Sequence, residues 1–227
     1  MSTFVLVHGA GHGAWCWERT ERDLAAAGFT SVSLDLPLTG LADDAAAVRE
    51  LLDSLEEPAI LVGHSYGGLV ISEAAGGRDD VAQLVYVAAV LVGSEESVLD
   101  MAGSFTPTLL IEKMEYTTDG SIVFSPQTAL DCFYHETPDD IAGQASLRMR
   151  PTAAVGMTAS PGSDPWKTVP TTYIVCARDR AVSPDMQRAM AKKAGRVETI
   201  DTDHSPFVSR PDEFHRILVS IAGDPVG

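Results

Sequence analysis

The chain has 227 residues, 45% hydrophobic and 21% charged, the composition of a globular domain long enough to bury its own core. Its 32 acidic residues against 16 basic ones give a formal net charge of −16, a surface that repels nucleic acid and anionic membranes, so neither is expected as a partner. The three cysteines, Cys16, Cys132 and Cys176, are odd in number and far apart, which argues against a disulfide framework or a structural zinc site.

The first residues run directly into an apolar segment, with no basic region and no small-residue cleavage site as in a secretory signal. No apolar run approaches the ~20 residues of a membrane helix, so the expected compartment is the cytoplasm. Residues 4–7 are all apolar, as in a strand covered on both faces. Residues 31–36, 59–62, 81–92, 171–177 and 197–200 read as five further strands. Between them the period changes. Leu41, Ala45, Val48, Leu52 and Leu55 recur at steps of three and four, the mark of an amphipathic helix. Ser183-Pro184 has the form of a helix start, and Ser209 with Pro211 predicts a cap for a last helix carrying Phe214, Ile217, Leu218 and Ile221. Strand–helix alternation predicts an α/β fold: a doubly wound parallel sheet of about six strands.

The alternation stops between residues 93 and 165. Gly, Ser, Pro and Thr punctuate scattered large apolar residues such as Met101, Phe105, Leu110, Phe133 and Tyr134. A structureless loop of that length is improbable in a compact domain. The expectation is a helical cap at 93–165, inserted after the fourth strand of a core formed by 1–92 and 166–227.

Gly63-His64-Ser65-Tyr66-Gly67 joins a predicted strand to a predicted helix, the context in which G-x-S-x-G exposes a nucleophilic serine. Serine needs a base, and the base an orienting acid. Asp179 and His204 each follow a later predicted strand, in the order serine, acid, histidine, at the sheet edge where parallel strands end. Asp201 and Asp203 are alternative acids; their closeness to His204 in sequence points them elsewhere. His215 falls within a helix and reads as a surface residue. The loop after the first strand, His8-Gly9-Ala10-Gly11-His12-Gly13, offers the Ala10 N–H as an oxyanion donor beside that of Tyr66. His8 and His12 have no acid or cysteine at ligand spacing, so they are expected to brace this loop, with no metal and no cofactor. Gly9, Phe105, Phe133, Tyr134 and His135 are the candidates for a substrate pocket.

His8-Gly9-Ala10-Gly11-His12-Gly13-Ala14-Trp15, Gly63-His64-Ser65-Tyr66-Gly67-Gly68, Asp179 and Asp203-His204 together resemble the branch of the α/β-hydrolases that holds plant methyl esterases and hydroxynitrile lyases, with small bacterial esterase relatives. The resemblance covers nearly the whole chain and implies a six-stranded sheet lacking the two leading strands of larger relatives. It also implies two chemistries. Lyases of this kind carry Thr or Asn where Gly9 stands, and one group carries a lysine where Ser205 stands. Neither feature is present, so the resemblance favours a serine esterase acting on small, largely apolar carboxylic esters. Hydroxynitrile lyase, thioesterase, lactonase and C–C bond hydrolase are the alternatives on the same triad, and a ligand-binding receptor is the alternative outside enzymes. The segment 35–41 departs from the resemblance by running into a helix without the longer loop of relatives. The partners left in view are a small ester and a second copy of the chain as a homodimer.

Overall fold

The structure, a computed structural model, describes residues 2–96 and 98–223. Nine strands are present among them: β1 (Thr3–Val7), β2 (Ser31–Ser33), β3 (Ala59–His64), β4 (Val81–Val87), β5 (Glu115–Tyr116), β6 (Ser121–Val123), β7 (Thr152–Ala153), β8 (Thr171–Cys176) and β9 (Arg196–Ile200). Six of them form one sheet in the order β2-β1-β3-β4-β8-β9, every neighbouring pair parallel.

Alternating side chains enter two separate cores. Phe4, Leu6, Ile60, Val62, Val85 and Ile174 meet Trp17, Leu24, Phe214, Leu218 and Ile221 on one face. Helices Glu18–Ala26 and Pro211–Gly223 supply that cover. Val5, Val7, Leu61, Leu84 and Val175 face the other way, onto Ala45, Val48, Leu69, Val70 and Met190. There the cover is helices Leu41–Asp53, Gly67–Ala75 and Pro184–Ala191. Burial on both faces is why these strands read as continuous apolar runs.

Two strands are shorter than the apolar runs predict, each for a local reason. The run 81–92 leaves the sheet at Ala88, whose φ is +46°, and the Val90 N–H then donates to the Ser65 carbonyl at 3.0 Å. The run 31–36 leaves it after Ser33, and the Leu36 N–H donates to His8 Nε2 at 3.0 Å. Helix starts divide in the same way. Ser183 Oγ accepts the Met186 N–H at 3.1 Å as a cap should. Ser209 does not cap the last helix: it ends the short helix Pro206–Ser209, and its buried hydroxyl donates to Asp203 Oδ1 at 2.8 Å.

The segment between β4 and β8 carries helices Val98–Gly103, Leu109–Lys113, Pro126–Cys132, Asp139–Ser146 and Ala154–Thr158. It also carries an antiparallel sheet, β5-β6-β7, that helical periodicity does not anticipate. Its hairpin turns at Asp119-Gly120, where Gly120 takes a φ of +83°. Among the described residues no helix is long and apolar enough to cross a membrane.

Candidate active site

Ser65 follows β3 directly and precedes helix Gly67–Ala75. Its φ is +54°, a left-handed conformation that a non-glycine residue adopts only under constraint. Three hydrogen bonds hold it there. Its N–H donates to Val87 O at 3.1 Å, and its carbonyl accepts from the N–H groups of Val90 at 3.0 Å and Gly68 at 3.1 Å. The bend is so tight that a Cβ on Gly63 would lie 2.6 Å from Gly67 O, and one on Gly67 2.6 Å from Val7 O. Glycine at both positions is thus a condition of the turn.

His204 lies in the loop after β9, and Asp179 in the loop after β8. Both are buried, and His204 Nδ1 lies 2.6 Å from Asp179 Oδ2. Asp179 Oδ1 accepts the N–H groups of Ala181 at 2.6 Å and Val182 at 3.0 Å. The acid is therefore locked in one orientation. The His204 carbonyl accepts His64 Nε2–H at 2.9 Å, and the two rings stand 4.5 Å apart. Among the described residues neither Ser65 Oγ nor His204 Nε2 makes a hydrogen bond, so the serine–histidine contact is not closed in this geometry. Catalytic contacts of this type commonly tighten when substrate is bound.

The alternative acids have other partners. Asp201 pairs with Arg178. Asp203 is fully buried and turns away from the imidazole, accepting the Ser205 N–H at 3.1 Å and the Glu136 N–H at 2.9 Å. It thereby ties the His204 loop to the segment above the sheet. His215 lies in helix Pro211–Gly223.

The loop after β1 is held peptide by peptide. Gly9 O accepts from His8 Nδ1 at 2.8 Å and from the His12 N–H at 3.2 Å. In a planar trans peptide the N–H points opposite to the carbonyl, so clamping Gly9 O directs the Ala10 N–H the other way. The next peptide is held at both ends. Ala10 O accepts from His12 Nδ1 at 2.9 Å, and the Gly11 N–H donates to Thr152 Oγ1 at 2.8 Å. Tyr134 OH completes this by donating to His12 Nε2 at 2.8 Å. Burial pushes the pKa of His8 down to about 4 and that of His12 to about 3, so both act as neutral imidazoles. Among the described residues the N–H groups of Ala10 and Tyr66 donate to no protein acceptor, as oxyanion donors require. The Tyr66 side chain is anchored separately: its OH donates to Asp44 Oδ2 at 2.7 Å, and Asp44 Oδ1 accepts the Leu38 N–H at 2.7 Å.

A cavity of about 130 Å³ opens on Ser65 and Tyr66. Leu69, Val90, Phe105, Leu110, Met114 and Met186 give it mainly apolar walls. A larger groove of about 360 Å³, lined by Trp15, Arg19 and Arg148, contains none of Ser65, Asp179 and His204. Of the predicted pocket residues, Phe105 lines the Ser65 cavity and Gly9 abuts Ser65. Phe133, Tyr134 and His135 do not line it. Phe133 is buried with its ring 5.4 Å from that of His204, Tyr134 is engaged with His12, and His135 is half-buried nearby. Large aromatic residues in such a segment pack as readily as they bind, and their sequence pattern is the same in both cases.

Several site residues escaped the sequence reading: Gln187, Asp44, Thr152 and His64. Only Gln187 left a trace, as an amide on the buried stripe of its helix between Met186 and Met190.

The model of the alpha/beta hydrolase family matches residues 4–217. Methylesterase 7 of Arabidopsis thaliana is 32% identical over 249 aligned positions, covering 96% of this chain and 95% of its own. The crystal structure of methylesterase MES16 from Arabidopsis superposes with a TM-score of 0.83 at 27% identity, over 98% of this chain and 99% of that one. A pyrethroid hydrolase from Sphingobium faniae JZ-2 shares the fold, with a TM-score of 0.87 at 22% identity over 99% and 98% of the two chains. With this fold, this loop geometry and these relatives, the chain belongs to the α/β-hydrolase family, among its methylesterase-like carboxylic ester hydrolases.

Proposed function

We propose that the chain hydrolyses compact, largely apolar carboxylic esters, methyl esters among them, through an acyl-enzyme on Ser65. The observation that carries this reading is the apolar cavity that opens on Ser65, in a chain that also joins His204 to Asp179 in a buried pair. His204 Nε2 takes the Ser65 proton as Oγ attacks the ester carbonyl. Asp179 holds Nδ1–H and stabilises the imidazolium that forms. The Ala10 and Tyr66 N–H groups receive the oxyanion. The imidazolium then protonates the departing alcohol, and His204 activates water to release the acid.

The acyl body occupies the cavity. Its volume of about 130 Å³ is close to the ~150 Å³ that holds one benzene ring, which suits a compact acyl group. The methylesterases named above are by name enzymes of methyl esters. Cyanohydrin cleavage is not favoured: a Cβ at position 9 would already lie 2.8 Å from Ser65 Cβ, leaving no room for the side chain that the lyases carry. A reducing, cytoplasmic setting fits three buried cysteines that are all free.

The test is labelling with a fluorophosphonate probe together with hydrolysis of p-nitrophenyl butyrate. Wild type is expected to label at Ser65, and Ser65→Ala to lose both labelling and turnover while keeping its circular dichroism spectrum. Full turnover in Ser65→Ala would overturn the assignment, and a folded wild type that neither labels nor turns over would point to a receptor.

A further inference from the structure

We infer that Gln187 is a positioning residue for the triad, fixing which lone pair of Asp179 Oδ2 is offered to His204. The inference rests on the reading of Ser65, His204 and Asp179 as a triad. Gln187 is fully buried on helix Pro184–Ala191, and its Nε2 donates to Asp179 Oδ2 at 2.7 Å. His204 Nδ1 reaches that same oxygen at 2.6 Å. An ionised carboxylate has about four acceptor positions, two on each oxygen. Here all four have donors: Ala181 N–H and Val182 N–H on Oδ1, Gln187 and His204 on Oδ2. Gln187 thus occupies one direction at Oδ2 and leaves the other to the imidazole.

The amide cannot be reversed. Gln187 Oε1 accepts the Cys176 N–H at 2.9 Å, while Nε2 also donates to Val182 O at 2.8 Å. A flipped amide would set its oxygen against two acceptors and its NH2 against a donor. The chain therefore fixes Gln187 by the end of β8 and the start of its own helix, and Gln187 in turn fixes Asp179. The two backbone donors already hold Oδ1, so this extra buried amide acts on the oxygen that faces the base.

The charged and titratable groups around this pair are His204 and Asp203 after β9, Tyr173 and Cys176 on β8, Arg180 beside Asp179, and Cys132 and His135 from the segment above. Burial raises the pKa of Tyr173, Cys132 and Cys176, keeping them neutral through the working range. A carboxyl introduced at position 187 would thus meet Asp179 as its nearest charge.

The experiment measures kcat and KM on p-nitrophenyl butyrate from pH ~6 to ~9 for wild type, Gln187→Leu, Gln187→Glu and Asp179→Asn, with thermal midpoints for each. Gln187→Leu is expected to lower kcat on the order of tenfold with KM within about twofold, as for loss of one hydrogen bond to a charged group. Gln187→Glu keeps the size and the acceptor for the Cys176 N–H. Protonated, its carboxyl can donate to Asp179; ionised, it repels it. Its kcat relative to wild type is therefore expected to rise several-fold as pH falls across this range. A purely structural role predicts a ratio that does not change with pH, and that result overturns the inference even if both variants are less stable. If Asp179→Asn is impaired while Gln187→Leu matches wild type, the inference fails and the triad reading stands. Unimpaired turnover in Asp179→Asn defeats the triad reading itself.

Discussion

Gly9→Ala adds one methyl group where the loop after β1, the proposed source of an oxyanion donor, abuts Ser65. The new Cβ would lie 2.8 Å from Ser65 Cβ, 3.0 Å from His64 Nδ1 and 3.1 Å from His64 O. Carbon atoms in contact prefer about 3.5–4.0 Å, so the two backbones must separate by roughly 1 Å. Ser65 cannot give way easily, because its strained turn is held by bonds to Val87, Val90 and Gly68. His64 cannot either, because Nε2 is bonded to His204 O. The loop therefore moves and carries the Ala10 N–H with it. A displacement of about 1 Å at a reacting centre costs on the order of 100-fold. Overpacking of this kind costs about 1–3 kcal/mol, or several degrees in thermal midpoint for a chain of this size. Steady-state hydrolysis of p-nitrophenyl acetate and thermal melts measure both. Gly143→Ala is the control: beyond its chain neighbours and its own helix backbone no described atom lies within 4 Å of its added Cβ, and it sits inside helix Asp139–Ser146. That variant is expected to keep full activity and gain roughly 0.5–1 kcal/mol. A Gly9→Ala enzyme turning over like wild type would refute the argument that this glycine sets the oxyanion geometry.

Acid should destabilise the fold through its buried histidines. The pKa values of His8 and His12 are depressed by burial to about 4 and about 3, and that of His64 is depressed strongly too. Below the ordinary value of 6.5 the unfolded chain binds protons that the folded chain refuses, so stability present above that pH is lost as pH falls. Each such histidine contributes at most about 1.4 kcal/mol per pH unit, so three remove up to about 8 kcal/mol between about pH 6 and 4, a large share of an ordinary stability of about 5–15 kcal/mol. The urea midpoint is expected to fall steeply over that window and less steeply in His12→Asn; a midpoint constant from about pH 7 to 5 contradicts this. For substrate size, p-nitrophenyl esters should turn over best with short acyl chains, with rates dropping beyond about six carbons. Phe105→Ala should shift the optimum to longer chains, and an unchanged profile would show that the acyl group binds elsewhere.

Much of the fold was legible because its signals are local. The runs at Phe4 and Ile60 are apolar at every position, and that at Ile174 is so after two buried threonines, since both sheet faces are covered. The turn at Ser65 carries its own glycines. Asp179 and His204 stood out because a parallel sheet brings the ends of its strands to one edge, which makes chain order a guide to proximity. The segment above the sheet was less legible, because its strands of two or three residues are too short to show a period.

By itself, then, the sequence determined the parallel sheet, the serine turn, and the chain order in which Ser65, Asp179 and His204 follow their strands. Each follows from side-chain period, backbone sterics or topology, which act over a few residues or through one simple rule. The place of Asp179 after a strand already favours it over Asp201 and Asp203; tertiary structure supplied the contact itself, Asp179 meeting His204 while Asp203, one residue from the imidazole, turns to Glu136 and Ser205. It alone joined Gln187 to Asp179, Tyr66 to Asp44, and Thr152 to the loop after β1. These are hydrogen bonds between buried polar groups, several of them far apart in sequence. A hydrogen bond is set by angle and distance after the chain has packed, and no residue type announces its partner in advance.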